Sequence, residues 1–261
     1  MHRQRPRAVR RLVAGALLLA LAGCGVDDGG RSIETDGELG GTLTVFAAAS
    51  LTDVFTDLGD QLTAEHPGLD VQFNFAGSSS LATQVTQGAP ADVLASADEE
   101  QLDAVADLVD GDPAVFAENT LVIAVPAGNP ADVRGLADLA DPGKSIALCA
   151  AEVPCGAAAA RVFDAAGLTP APDTLEQDVR AALTKVQLGE VDAALVYATD
   201  VAAAGSAVEA IEVPEAADVV NRYPLAVLER APNPLAARAF VDLVRSDTGR
   251  QALTDAGFRL P

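Results

Sequence analysis

Val45-Phe46-Ala47-Ala48-Ala49-Ser50-Leu51-Thr52-Asp53-Val54-Phe55 is the stretch that decides the fold. Residues 42–46 suit a short buried strand, and small residues lead from it to Ser50, a residue type that favours helix N-caps. Asp53 follows three residues later, near a capping-box position. Leu51, Val54, Phe55, Leu58 and Leu62 then recur at helical spacing and give one apolar face. A strand that ends in small residues at a helix start leaves backbone N–H groups and a hydroxyl open to a crevice, which suits an anion.

The chain repeats this construction. Residues 70–75 alternate as a strand, and Ala76-Gly77-Ser78-Ser79-Ser80 supplies a turn whose serines suit the cap of a helix over 81–87. Residues 92–96 form a third strand, and Asp98 suits the cap of the next helix. Further strands are expected over 120–125, 146–149, 191–197, 208–213 and 223–228. Helices are expected over 134–140, 157–166, 178–188, 234–245 and 248–256, with 172–176 as a loop. Strands alternating with helices predict mostly parallel sheets. The C-terminal part reads as crossing back to the first domain. That makes two α/β lobes joined near Thr120 and Tyr223, residues 42–121 plus 222–261 and residues 122–221, with a ligand cleft between them. Gly143-Lys144-Ser145 lacks the glycine that a phosphate loop needs five residues earlier, where Asp138 stands, and it reads as a turn.

The first residues have another purpose. Arg3, Arg5, Arg7, Arg10 and Arg11 precede an apolar run from Leu12 to Ala22, too short to span a bilayer, as in a secretory signal over 1–23. Leu21-Ala22-Gly23-Cys24 resembles the lipobox of bacterial lipoproteins, which implies cleavage before Cys24, a lipid on its sulfur and anchorage at the outer face of the cell membrane. Residues 24–41 then read as a flexible tether. Loss of the five arginines lowers Lys+Arg from 17 to 12 against 38 Asp+Glu, so the formal charge moves from −21 to −26. Such a surface repels nucleic acid, and any anion must be held by local dipoles. Cys149 and Cys155, separated by five residues, are free to pair in an oxidising compartment or to pack as reduced thiols. A mature chain with one histidine, His66, offers no zinc set.

Five motifs resemble, in order, those of the molybdate-binding proteins of ABC transporters. They are Phe46-Ala-Ala-Ala-Ser50-Leu-Thr-Asp53, Phe75-Ala-Gly-Ser78-Ser-Ser-Leu-Ala82, Gly88-Ala-Pro-Ala-Asp92-Val-Leu-Ala-Ser-Ala-Asp98, Asp178-Val-Arg-Ala-Ala-Leu183 and Leu195-Val-Tyr197-Ala-Thr-Asp200. The resemblance implies a two-lobed periplasmic-binding-protein fold of type II, closing on a hinge around a tetrahedral oxyanion. It implies a monomeric carrier of molybdate or tungstate, with no cofactor and no catalysis, that serves an ABC permease. The ligand set it implies is the hydroxyls and backbone of Ser50 and Ser78, the backbone N–H groups of Cys155 and Val179, and the Tyr197 hydroxyl. Where many members have Pro-Ala-Gly, this chain has Pro154-Cys155-Gly156; the backbone donor survives the change, and a Cys149–Cys155 bond would pin the turn.

The chemistry of that set is coherent. Molybdate near pH 7 is a dianion without a proton, whereas phosphate keeps at least one, so a hollow made of donors suits the first and leaves the second's O–H without an acceptor. Sulfate has no proton either and must be excluded by size, so a carrier for sulfate or thiosulfate is the alternative. A secreted hydrolase is a more distant one: Gly-x-Ser-x-Gly is missing and His66 is the only base of its kind after the leader. Ferric iron is disfavoured by a mature chain whose tyrosines are Tyr197 and Tyr223 alone.

Overall fold

The computed structural model describes residues 39–261; the signal sequence, Cys24 and most of the tether lie outside them. β1 (Gly40–Ala48) leads through a 3-10 turn (Ala49–Leu51) into α1 (Thr52–Glu65). Then come β2 (Gly68–Ala76), α2 (Ser78–Thr86), β3 (Val93–Ala95), α3 (Glu99–Asp103), β4 (Ala114–Asn119) and β5 (Leu121–Pro126). Next are β6 (Ile146–Cys149), α4 (Pro154–Ala166), β7 (Thr174–Glu176), α5 (Val179–Gln187), β8 (Ala193–Tyr197), α6 (Ala198–Ala204) and β9 (Val208–Ile211). β10 (Asn221–Val227), α7 (Pro234–Arg245) and α8 (Asp247–Asp255) complete the chain.

The strands form two five-stranded sheets, ordered β2-β1-β3-β10-β4 and β7-β6-β8-β5-β9, and each sheet is the floor of one lobe. The order repeats. In each, a central strand has a parallel neighbour on both sides, and the fourth strand runs antiparallel to the third and fifth. The sheets are therefore mixed, not mostly parallel. The reason lies in the fourth strands, β10 and β5, which both arrive from the other lobe. Only Thr120 separates β4 of the first sheet from β5 of the second, so the chain passes directly from one lobe into the other.

The apolar face expected on the first helix is buried: Leu51, Val54, Phe55, Leu58 and Leu62 are all in the core. Phe55 packs edge-on to Phe240 of α7 at 5.3 Å and lies 5.8 Å from Phe116 of β4. In the second sheet Ala124, Ala147, Ala193 and Ala194 are fully buried, and these small side chains let α4, α5 and α6 lie close. Gly167 ends α4 in the left-handed region, φ +65°, where glycine carries no Cβ penalty.

Several local expectations shift. Ser50 sits inside the 3-10 turn and caps nothing, and α2 begins three residues early, at Ser78, with Gly77 as its N-cap. The helix expected over 134–140 is a 3-10 helix over Leu136–Ala140, and the last three residues of the expected loop over 172–176 form β7 by pairing with β6. β4 has no counterpart in the sequence reading. Asp98 does cap α3, accepting from the Gln101 N–H at 2.9 Å. Cys149, the last residue of β6, and Cys155, in the first turn of α4, form a disulfide with Cα atoms 5.7 Å apart.

Candidate functional site

The C-terminal ends of β1, β2, β3 and β8 and the starts of α2, α4 and α5 converge on one hollow between the sheets. Ser50, Ser78, Cys155, Val179 and Tyr197 all line it, with Ala49, Gly77, Ala97, Pro154 and Asp178 among their neighbours. All five residues are buried. The space left to the centre of a water-sized sphere is about 10 Å³, room for about one water.

Donors stand around the hollow among wall atoms that are mostly apolar. Ser78 and Val179 are the first residues of α2 and α5, and Cys155 is the second of α4, so their N–H groups have no acceptor within their own helices. Three helix starts also aim the positive ends of their dipoles inward. Asp178 brings a carboxylate to the rim, but as the α5 cap its Oδ1 accepts the Ala181 N–H at 2.9 Å. No Lys or Arg is among the described lining residues.

Each hydroxyl is held from behind. Ser78 Oγ accepts the Ala97 N–H at 3.0 Å, and Tyr197 Oη accepts from Asn221 Nδ2 at 3.0 Å. Ser50 Oγ lies 3.0 Å from Tyr223 Oη. A hydroxyl that already accepts from the protein has its hydrogen left to give. Burial pushes the Tyr197 and Tyr223 phenols well above their ordinary range, so both keep that hydrogen at neutral pH.

A charged cluster lies beside these donors. Arg180, next to Val179, pairs through Nη2 with Asp53 on the first turn of α1, and its Nε stands 3.8 Å from Asp200 Oδ1. Asp200 is fully buried, and desolvation pushes its carboxyl up to about 7, opposed by Arg180 and by the Tyr197 N–H at 3.2 Å from Oδ2. A larger cleft, about 520 Å³, opens on the other side of Ser50, but Asp53, Asp57 and Asp255 line it and repel anions. Among the described residues no group of three or more His, Cys, Asp or Glu is placed to hold a metal ion.

The sequence reading thus names residues that the fold brings together. It misses Asn119, Asn221 and Tyr223 behind the hydroxyls and Arg180 beside the hollow. One signal was available: Asn221 and Tyr223 stand two apart in a strand, so both point to the same, buried face.

Comparisons with known proteins agree with this geometry. The chain is 45% identical to the molybdate-binding protein ModA of Mycobacterium tuberculosis over 252 residues, 96% of this chain and 97% of that one. It is 30% identical to a putative ABC transporter substrate-binding lipoprotein, YvgL, of Bacillus subtilis, over 95% of this chain and 96% of that one. The periplasmic molybdate-binding protein of Azotobacter vinelandii shares its fold, with a TM-score of 0.71 at 18% identity over 84% of this chain and 99% of that one. The profile of the bacterial extracellular solute-binding proteins matches residues 43–259. With two sheets closing on a donor-lined hollow, and with full-length kinship of this degree, the chain belongs to the bacterial extracellular solute-binding proteins and, among them, to the ModA family.

Proposed function

We propose that this protein captures molybdate, and tungstate with little discrimination, in the hollow between its lobes and delivers it to an ABC permease. The observation that carries this reading is the meeting of Ser50, Ser78, Cys155, Val179 and Tyr197 around one small, donor-lined space. Those five residues form the ligand set: two serine hydroxyls with their backbone, two backbone N–H groups and one phenol. A tetrahedral dianion without a proton fits a set of five groups that all offer hydrogens. Charge-assisted bonds contribute roughly 1.5–3 kcal/mol each, so about five hold the anion tightly without a cation in the wall. The protein is a carrier, not an enzyme.

In this reading residues 1–23 are removed on export, Cys24 carries the lipid and residues 24–41 tether a monomeric body to the membrane. Residues 42–121 with 222–261 form one lobe and 122–221 the other. The lipoprotein relative in Bacillus subtilis supports the anchor.

Isothermal titration of ligand-free protein with molybdate, tungstate, sulfate and phosphate tests the cargo. Tight binding of the first two and weak binding of the others is expected. At roughly a hundred times Kd, molybdate raises Tm by about 5–10 °C. A protein that takes up sulfate while ignoring millimolar molybdate is a sulfate carrier, and this reading fails.

A further inference from the structure

Behind the hollow lies a second row of polar side chains. Asn221 of β10 is buried, and its Nδ2 donates both to the Ala97 carbonyl and to Tyr197 Oη, each at 3.0 Å. The Ala97 carbonyl can only accept, and this fixes the amide so that its NH₂ end faces Tyr197. The N–H of the same Ala97 donates to Ser78 Oγ. Tyr223, two residues along β10 and fully buried, reaches Ser50 Oγ at 3.0 Å. Asn119 faces Asn221 across the β4–β10 pair; its Oδ1 is occupied by the Thr120 N–H at 3.0 Å, and its NH₂ end donates to Thr199 Oγ1 at 2.8 Å. Either hydroxyl of the Ser50–Tyr223 contact can be the donor.

We propose that Tyr223 donates to Ser50 Oγ as Asn221 does to Tyr197 Oη, and that the two are specificity-determining positioning residues, which bias the Ser50 and Tyr197 hydroxyls toward donating and so disfavour anions that carry a proton. This rests on molybdate being the cargo. Neither residue touches the anion in this scheme. Each fills a lone pair that a hydroxyl could otherwise turn toward a ligand O–H. Monohydrogen phosphate, with the same charge as molybdate, then finds fewer acceptors for its hydrogen, a penalty that hydrogen-bond-based sites use for discrimination. Linked donors of this kind also polarise one another, which strengthens the bond to the anion.

The test measures molybdate affinity by titration and phosphate affinity by displacement of molybdate at pH 8, where monohydrogen phosphate dominates. It compares wild type, Tyr223→Phe and Asn221→Leu. Tyr223→Phe keeps the ring and its packing, and so serves if Asn221→Leu fails to fold. The molybdate-over-phosphate affinity ratio is expected to fall about tenfold or more in either folded variant, with molybdate itself weakened by less than the ratio falls. Unchanged affinities, parallel losses for both anions, or phosphate that still fails to displace molybdate from Tyr223→Phe would each overturn the inference while leaving the cargo intact. A wild-type protein that binds no molybdate overturns the cargo reading and this inference with it.

Discussion

Ser50 and Ser78 stand at helix starts, yet neither caps its helix. A capping serine spends its oxygen on a backbone N–H in its own first turn. Ser78 accepts from Ala97 and Ser50 bonds the Tyr223 hydroxyl, both partners distant in sequence, so neither oxygen is spent on its own helix. Ser50→Ala and Ser78→Ala are therefore expected to keep their helices and to weaken molybdate binding about tenfold or more each, read by titration calorimetry with circular dichroism as the control. Wild-type affinity in either variant would remove that serine from the site. Asp200 supports a different test. Its carboxyl, ordinarily near 3.8, is held at about 7 by burial. Between those values the folded protein keeps a proton that the unfolded chain releases, so this group's contribution to stability is full below about 4 and is lost as pH rises through 7. Asp200→Asn keeps an oxygen for the Tyr197 N–H and removes the titration. Urea midpoints from pH 4.5 to 7.5 should fall less steeply in the variant, and identical slopes would show that Asp200 is ionised throughout.

Among the elements, the strand, small-residue turn and helix start are local patterns, which is why the turns at Ser50 and Ser78 are legible in the sequence, while the full proposed ligand set is implied by the resemblance of the motifs. Each turn needs only a few neighbouring residues to be recognised. Tyr223 and Arg180 are not legible in the same way, because their partners Ser50 and Asp53 lie 173 and 127 residues away and meet them only through lobe assembly. β7 escapes notice for a related reason: three residues carry no periodicity, and the strand exists because β6 offers it a partner. Gly77, the cap of α2, shows what lobe contact demands of an element. Its φ of −61° is open to any residue, yet a Cβ there would stand 2.2 Å from the Gln177 carbonyl oxygen, just ahead of α5. Gly77→Ala should leave the unfolding of ligand-free protein nearly unchanged, since the lobes can part, and should weaken molybdate binding by holding them apart. A variant of normal affinity would mean that α2 and α5 need not meet around the anion.

At the scale of the whole molecule, two lobes of an acidic chain have to close on an acidic guest. The chain carries a formal charge of −21, and Asp53, Asp57 and Asp255 face the cleft beside the hollow. Closure therefore brings like charges together over distances that physiological salt screens only in part, with a Debye length of about 8 Å. Arg180 is the cation placed at that seam. It extends from the start of α5 in one lobe to Asp53 at the start of α1 in the other, and its far side faces buried Asp200. The Asp53 carboxylate is 60% exposed, so the pair is worth on the order of 0–1 kcal/mol, enough for up to about fivefold in the lifetime of a closed state and too little to hold the lobes shut without ligand. That magnitude suits a carrier that must reopen at its permease. Arg180→Gln is thus expected to raise the molybdate dissociation rate about two- to fivefold in stopped-flow displacement, with the association rate little changed. Asp53→Asn should act in the same direction, and the double variant should add nothing to Arg180→Gln, because both changes break the Arg180–Asp53 contact. Additive effects, or a loss confined to association, would mean that Arg180 acts on the anion through its charge and not through the seam.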